Sequence, residues 1–224
     1  MVSHAEQPRI HWRRIALVER FSSVLYPLDI EGLLEELPSL GYIVPAEKDI
    51  LAAQGERLAL TREIATKGEL RLRMNQESKT LGVEGKQTDE VLEAFKAIRN
   101  LCVERLDPSK GFATAFVEII GTAWIASKTD PIKVFDNVWA ENPVLERLNK
   151  SLNTKFSQRG IHLGNSQDVE SPSFSQIEVT PLVPAKSRYH VQVVWREPSV
   201  EGIVRVMEEL DSTISGVIRT LESF

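Results

Sequence analysis

Gly68-Glu69-Leu70-Arg71-Leu72-Arg73-Met74 alternates apolar and polar side chains, and a long amphipathic stretch from Thr88 to about Leu106 comes after it. The same order returns near the far end: Arg188-Tyr189-His190-Val191-Gln192-Val193-Val194-Trp195-Arg196 leads into a helical pattern from Ser199 to about Glu222. A period of two marks a strand with one buried face, and a period near 3.6 marks a helix with one buried stripe. Two such strand-to-helix units predict an α+β fold of two tandem β-α-β(3–4)-α units. Their antiparallel sheets should each be covered on one face by a long amphipathic helix. The expected boundaries are an N-terminal tail over 1–12, a first half over 13–107 and a second over 111–224, with one pseudo-symmetric domain as the alternative.

Outward from these stretches, Arg13 to about Leu25 reads as a first strand, with Ile15, Leu17, Phe21 and Leu25 on one parity. Asp29 is a natural cap for a helix through Leu40, although Pro38 disturbs its last turn. Tyr42-Ile43-Val44, Arg57 to Ala65 and Leu81 to Val83 read as further short strands. Thr88 is the expected cap of the first long helix, and Asp107-Pro108-Ser109-Lys110-Gly111 punctuates the chain as the junction between halves.

In the second half, Phe112 to Ile125 is nearly continuous in apolar residues, which predicts a central strand covered on both faces. Thr129-Asp130-Pro131 starts a helix that breaks at Asn142-Pro143 and resumes with Val144, Leu145, Leu148 and Leu152. Ile161 to Leu163 is a short strand, 165–173 a mobile loop, and Phe174–Leu182 with Tyr189–Trp195 a hairpin.

Net charge is −5 and neither half is basic, so nothing global favours a phosphate backbone. The single Cys102 excludes an intramolecular disulfide and a thiolate metal cluster, and its apolar neighbours predict a buried thiol. The first residues lack the apolar run of a signal peptide, and no stretch is long and apolar enough to span a bilayer. A cytoplasmic protein is expected. His4, His11, His162 and His190 are scattered, with no pair at helical metal-ligand spacing. Nucleophile-elbow, phosphate-loop and dinucleotide-fingerprint motifs are absent. The expectation is therefore no enzyme, no cofactor and no metal.

One surface stands out. The outward parity of the two signature strands collects Arg71, Arg73, Asn75, Arg188, His190, Gln192 and Arg196, with Arg57 nearby. Polar donors on an uncovered sheet suit a protein partner, self-association through an open edge, or a nucleic acid. The competing reading is a helix-grip-like carrier of an apolar small molecule, its cavity lined by Phe116, Trp124, Trp139 and Trp195 beneath the last helix.

The order strand, helix, four strands, helix, then strand, longer helical segment, about three strands, helix, resembles the duplicated β-α-β4-α saddle of the TATA-binding-protein-like fold. The detail lies in Arg57 to Leu101: a strand, the Leu70–Met74 segment, the Ser78-Lys79 turn, Leu81-Gly82-Val83-Glu84-Gly85-Lys86 and the acidic helix start Asp89-Glu90. The resemblance implies a curved sheet built from two halves. It does not imply DNA bending, which needs aromatic wedges between base steps. Here the turn reads Met74-Asn75-Gln76-Glu77-Ser78, and the second half has no counterpart of the Ser-Lys turn.

Overall fold

The computed structural model of the 224-residue chain describes residues 9–23, 28–45, 62–103, 113–153, 157–165, 167–183, 185 and 187–224. Eight strands are arranged β1 (Ile10–Phe21), β2 (Arg62–Lys67), β3 (Leu70–Asn75), β4 (Thr80–Gly85), β5 (Thr114–Ala126), β6 (Ile161–Gly164), β7 (Ser175–Pro181) and β8 (Arg188–Glu197). They form a single antiparallel sheet in the order β2-β3-β4-β1-β5-β8-β7-β6. There are not two sheets. The first strands of the two predicted halves pair with each other, β1 against β5 forming a seam that runs from Ile10 opposite Ile125 to Phe21 opposite Thr114.

Among the described residues five helices accompany the sheet: α1 (Ile30–Glu36), α2 (Thr88–Leu101), α3 (Pro131–Val138), α4 (Pro143–Leu152) and α5 (Val200–Leu221). Asp29 caps α1 by accepting from the Gly32 amide, and Pro38 turns its end into a tighter 3-10 turn over Leu37–Leu40. Gln87, not Thr88, sits at the N-cap of α2 and offers no side-chain bond, so the acidic Asp89 and Glu90 in the first turn carry the compensation there. The helix widens into a π turn at Cys102 and Val103. Asp130 and Asn142 cap α3 and α4 ahead of prolines, as their sequences require. Ser199 caps α5 by accepting from Gly202.

α2 packs on β1, β3 and β4, α5 packs on β5 and β8, and the two helices touch. Their apolar stripes, Val91, Leu92, Phe95, Ile98 and Leu101 on one and Ile203, Met207, Leu210, Ile214, Ile218 and Leu221 on the other, join one core with Ile15, Leu17, Leu72, Ile119, Val191 and Val193. Inside it lies an ionic contact. Glu19 on β1 is 3% exposed, accepts from Thr114 Oγ1 at 2.6 Å and faces Arg99 Nε of α2 at 3.2 Å. This pair fastens the end of α2 to the seam, and Cys102 lies beside it. Burial and the neighbouring Glu19 push the Cys102 thiol up to about 12, with Arg99 opposing.

Several expectations change. β1 starts at Ile10, inside the segment read as a tail. Tyr42–Val44 contributes one isolated bridge, Ile43 to Thr66, rather than a strand. Residues 62–65 of the predicted Arg57–Ala65 strand lie in β2 and the rest of it falls outside the described residues; a bulge between Glu63 and Ala65 buries both Ile64 and Ala65. β5 is central, but only its odd residues Val117, Ile119, Gly121, Ala123 and Ile125 are buried; the even ones are partly exposed. Segment 167–173 is tied down rather than loose, because Arg196 Nη1 donates to the carbonyls of Val169 and Ser171. Leu25, Arg57 and the 107–111 junction lie outside the described residues. Among the described residues no helix is long and apolar enough to cross a membrane.

Candidate binding face

Register places the polar parity of five neighbouring strands on one side of the sheet. Arg71 pairs with Glu84, Glu84 with Ala16, Ala16 with Ile120 and Ile120 with Val194, giving one row across β3, β4, β1, β5 and β8. The next row runs Arg73, Gly82, Val18, Glu118 and Arg196. Opposite residues in an antiparallel pair carry their side chains on the same face. All seven residues of the sequence-predicted site therefore stand on one face, β3 members to one side of the seam and β8 members to the other.

They are not equivalent donors. Arg71 Nη1 lies 3.6 Å from Glu63, and Arg73 faces Glu63 at 3.8 Å and Glu84 at 3.3 Å. Asn75 accepts from the Ser78 amide at 3.0 Å and shapes the β3–β4 turn. The Arg196 side chain is 13% exposed; it pairs with Glu118 and holds segment 167–173. Arg188 lies over the Trp124 ring at 4.0 Å. Gln192 is exposed, and His190 lines a groove. Sequence parity identified the face; it missed the carboxylates that neutralise it and the partly exposed apolar centre of Val18, Ile120 and Val194.

The two aromatic residues of β5 on this face are flanked in the same manner. His11 of β1 stacks on Trp124 with centroids 3.9 Å apart and planes 10° from parallel. Because β1 and β8 lie on opposite sides of β5, His11 and Arg188 hold opposite faces of the indole. At the other end of β5, Phe116 has Arg20 of β1 at 5.6 Å and Arg196 of β8 at 4.2 Å. Cation–π contacts of this kind are favourable. Trp124 and Phe116 thus stand on the side of the sheet away from α5, while Trp195 belongs to the parity of the core.

Two grooves open at the end of the face where β1 begins. One, about 870 Å³, is bordered by Arg13, Arg14, Arg71, Glu84, Thr122 and His190 among others. The other, about 790 Å³, lies on the helix side, with Trp12, Asp89 and Asp211 in its wall. The Lys86–Glu69 ion pair, 2.7 Å, borders both. Trp12 Nε1 donates to Asp211 of α5 at 3.0 Å. Burial raises the Asp211 carboxyl above its ordinary value; the Trp12 bond opposes this and Asp89 adds to it. Trp12 and Arg14 share parity by count yet lie on opposite faces, because a bulge at Arg13 shifts the register between them.

No protein-family model matches the chain, and no characterised protein is similar to it in sequence.

Proposed function

We propose that this is a non-enzymatic binding or assembly protein that takes a protein partner, or a second copy of itself, on the exposed face of its sheet. The observation that carries the reading is the composition of that face: partly exposed Val18, Ile120 and Val194 at the centre, ringed by arginines already paired to Glu63, Glu84 and Glu118. An apolar centre with a polar rim is the usual anatomy of a protein interface. A nucleic-acid surface instead needs cations free to neutralise phosphates and rings free to stack on bases. Here Arg14, Arg71, Arg73 and Arg196 have carboxylate partners, and Trp124 and Phe116 are in contact with His11, Arg188, Arg20 and Arg196. The carrier reading gains nothing from the fold, since two of its four lining aromatics stand on the side of the sheet opposite α5.

The same reading takes the chain as a duplicated β-α-β3-α unit in the manner of the TATA-binding-protein-like saddle. The strand order supports it: β2-β3-β4-β1 is repeated in mirror sense by β5-β8-β7-β6, with α2 after β4 as α5 is after β8.

The test is a photo-crosslinking side chain placed at exposed Gln192 and, as a control, at exposed Ser212 on α5. In an extract of the source cells, or with purified chain alone for self-association, Gln192 should give a discrete protein adduct that Ser212 does not. Adducts to nucleic acid, or the same adducts from both positions, would rule the reading out.

A further inference from the structure

β1 runs beside β5 further than it runs beside β4. Its pairing with β4 ends at Ile15 opposite Gly85, whereas its pairing with β5 continues to Ile10 opposite Ile125. Over Ile10–Arg14, roughly 16 Å of strand at ~3.3 Å per residue, β1 has β5 on one side and no strand among the described residues on the other. The two grooves lie along this stretch. A groove laid over one face of a strand is lined by alternate residues, because neighbouring side chains point to opposite faces. These two are lined between them by Arg9, Ile10, His11, Trp12, Arg13 and Arg14 without a gap. The helix-side groove alone takes four consecutive residues, Arg9 to Trp12, so it reaches round the edge of the strand with its backbone N–H and C=O groups, and an unpaired edge is a template for another strand.

We propose that the Ile10–Arg14 edge of β1 is the docking site of an extended acidic peptide, which adds to the sheet by backbone pairing in the gap beside β4. The proposal rests on the protein-binding reading above and names the kind of segment and where it seats. Charge selects the occupant. The chain carries −5 overall, yet the groove on the exposed side brings Arg13, Arg14, Arg71 and Lys86 together against Glu69 and Glu84; Arg14, Arg71 and Lys86 already hold carboxylates, which leaves Arg13 as the cation to meet an acid. Among the described residues neither Arg9 nor Arg13 has an ion pair. The groove on the helix side holds Asp89 and Asp211 beside Trp12, which disfavours acids there. Since alternate residues of an added strand face alternate sides, the fitting segment has acidic side chains at every second position and neutral ones between.

The test uses the full chain and an end-blocked eight-residue peptide of alternating Glu and Val carrying a fluorophore. Binding should be measurable by anisotropy, and hydrogen exchange should slow at the amides of residues 10–14. A Lys-Val peptide should not bind, and N-methylating alternate amides of the Glu-Val peptide should abolish binding. Arg13→Glu should weaken it about tenfold, a fall typical of losing one interfacial charge contact, while Lys133→Glu, the same change of charge on exposed α3, should leave it unchanged. Equal binding of the Lys-Val or N-methylated peptides, or no binding of the Glu-Val peptide, would overturn the edge proposal. Protection at Val18, Ile120 and Val194 in place of residues 10–14 would overturn it too, while leaving the face reading intact.

Discussion

Asp211 is exposed, as its place in the helical pattern predicts, but the pattern does not announce its partner. Beside Glu208 and Glu209 it belongs to the polar stripe of α5, and helical periodicity assigns it to solvent. In the fold its carboxylate meets Trp12 Nε1 from the other end of the chain and lies near Asp89 of α2. Its raised value has a definite sign. The folded protein holds the proton to higher pH than the unfolded chain does, so stability falls as pH rises from the ordinary carboxylate range through the raised value. Asp211→Asn keeps an acceptor for Trp12 and removes the charge. We expect the variant to melt above the wild type at pH 7 and together with it near pH 3, measured by thermal unfolding at both. A gap that persists at the acid end would assign the effect to packing. Arg13 is the complementary case. Counting parity from Trp12 through Arg13 puts Arg14 on the wrong face, because nothing in three residue names announces the bulge that β5 imposes on β1.

Among the elements, the strands that alternate cleanly were the legible ones. Leu70 to Asn75 and Arg188 to Arg196 have the predicted polar parity on one shared face, and the caps Asp29, Asp130, Asn142 and Ser199 start their helices. Which strand lies beside which could not be read. Arg196 and Glu118 are 78 residues apart, and only the β5–β8 register brings them together. A face that reads as donor-rich in sequence is therefore largely charge-compensated in the fold. α4 makes the opposite point. Its apolar residues recur at helical spacing, which predicts burial, yet none is buried and Val144, Leu148 and Leu152 are 64%, 48% and 58% exposed. The helix rests on its Asn142 cap and the Glu146–Lys150 pair. Replacing Val144 and Leu148 together by Gln should change unfolding free energy by no more than about 0.5 kcal/mol, the usual range for surface sites. A loss of several kcal/mol in a denaturant titration would mean that α4 is packed in solution.

At the scale of the whole molecule, the β1–β5 seam decides how stability is shared. Buried Ile15, Leu17 and Ile119 lie on both sides of it and join one core with the stripes of α2 and α5. Ile119→Ala should therefore cost about 3 kcal/mol, as truncations of fully buried aliphatic residues do, and should loosen β3 and β7 equally. Native-state hydrogen exchange checks this; faster exchange confined to β7 and β8 would show two independently unfolding halves. The seam also carries its own optical label. Trp124 sits between an imidazole from β1 and a guanidinium from β8, so its emission is governed by two groups that hold their places only while three adjacent strands keep their alignment. Light from that indole is a native read-out of the junction, dim or bright according to whether His11 and Arg188 are seated, with no dye to attach.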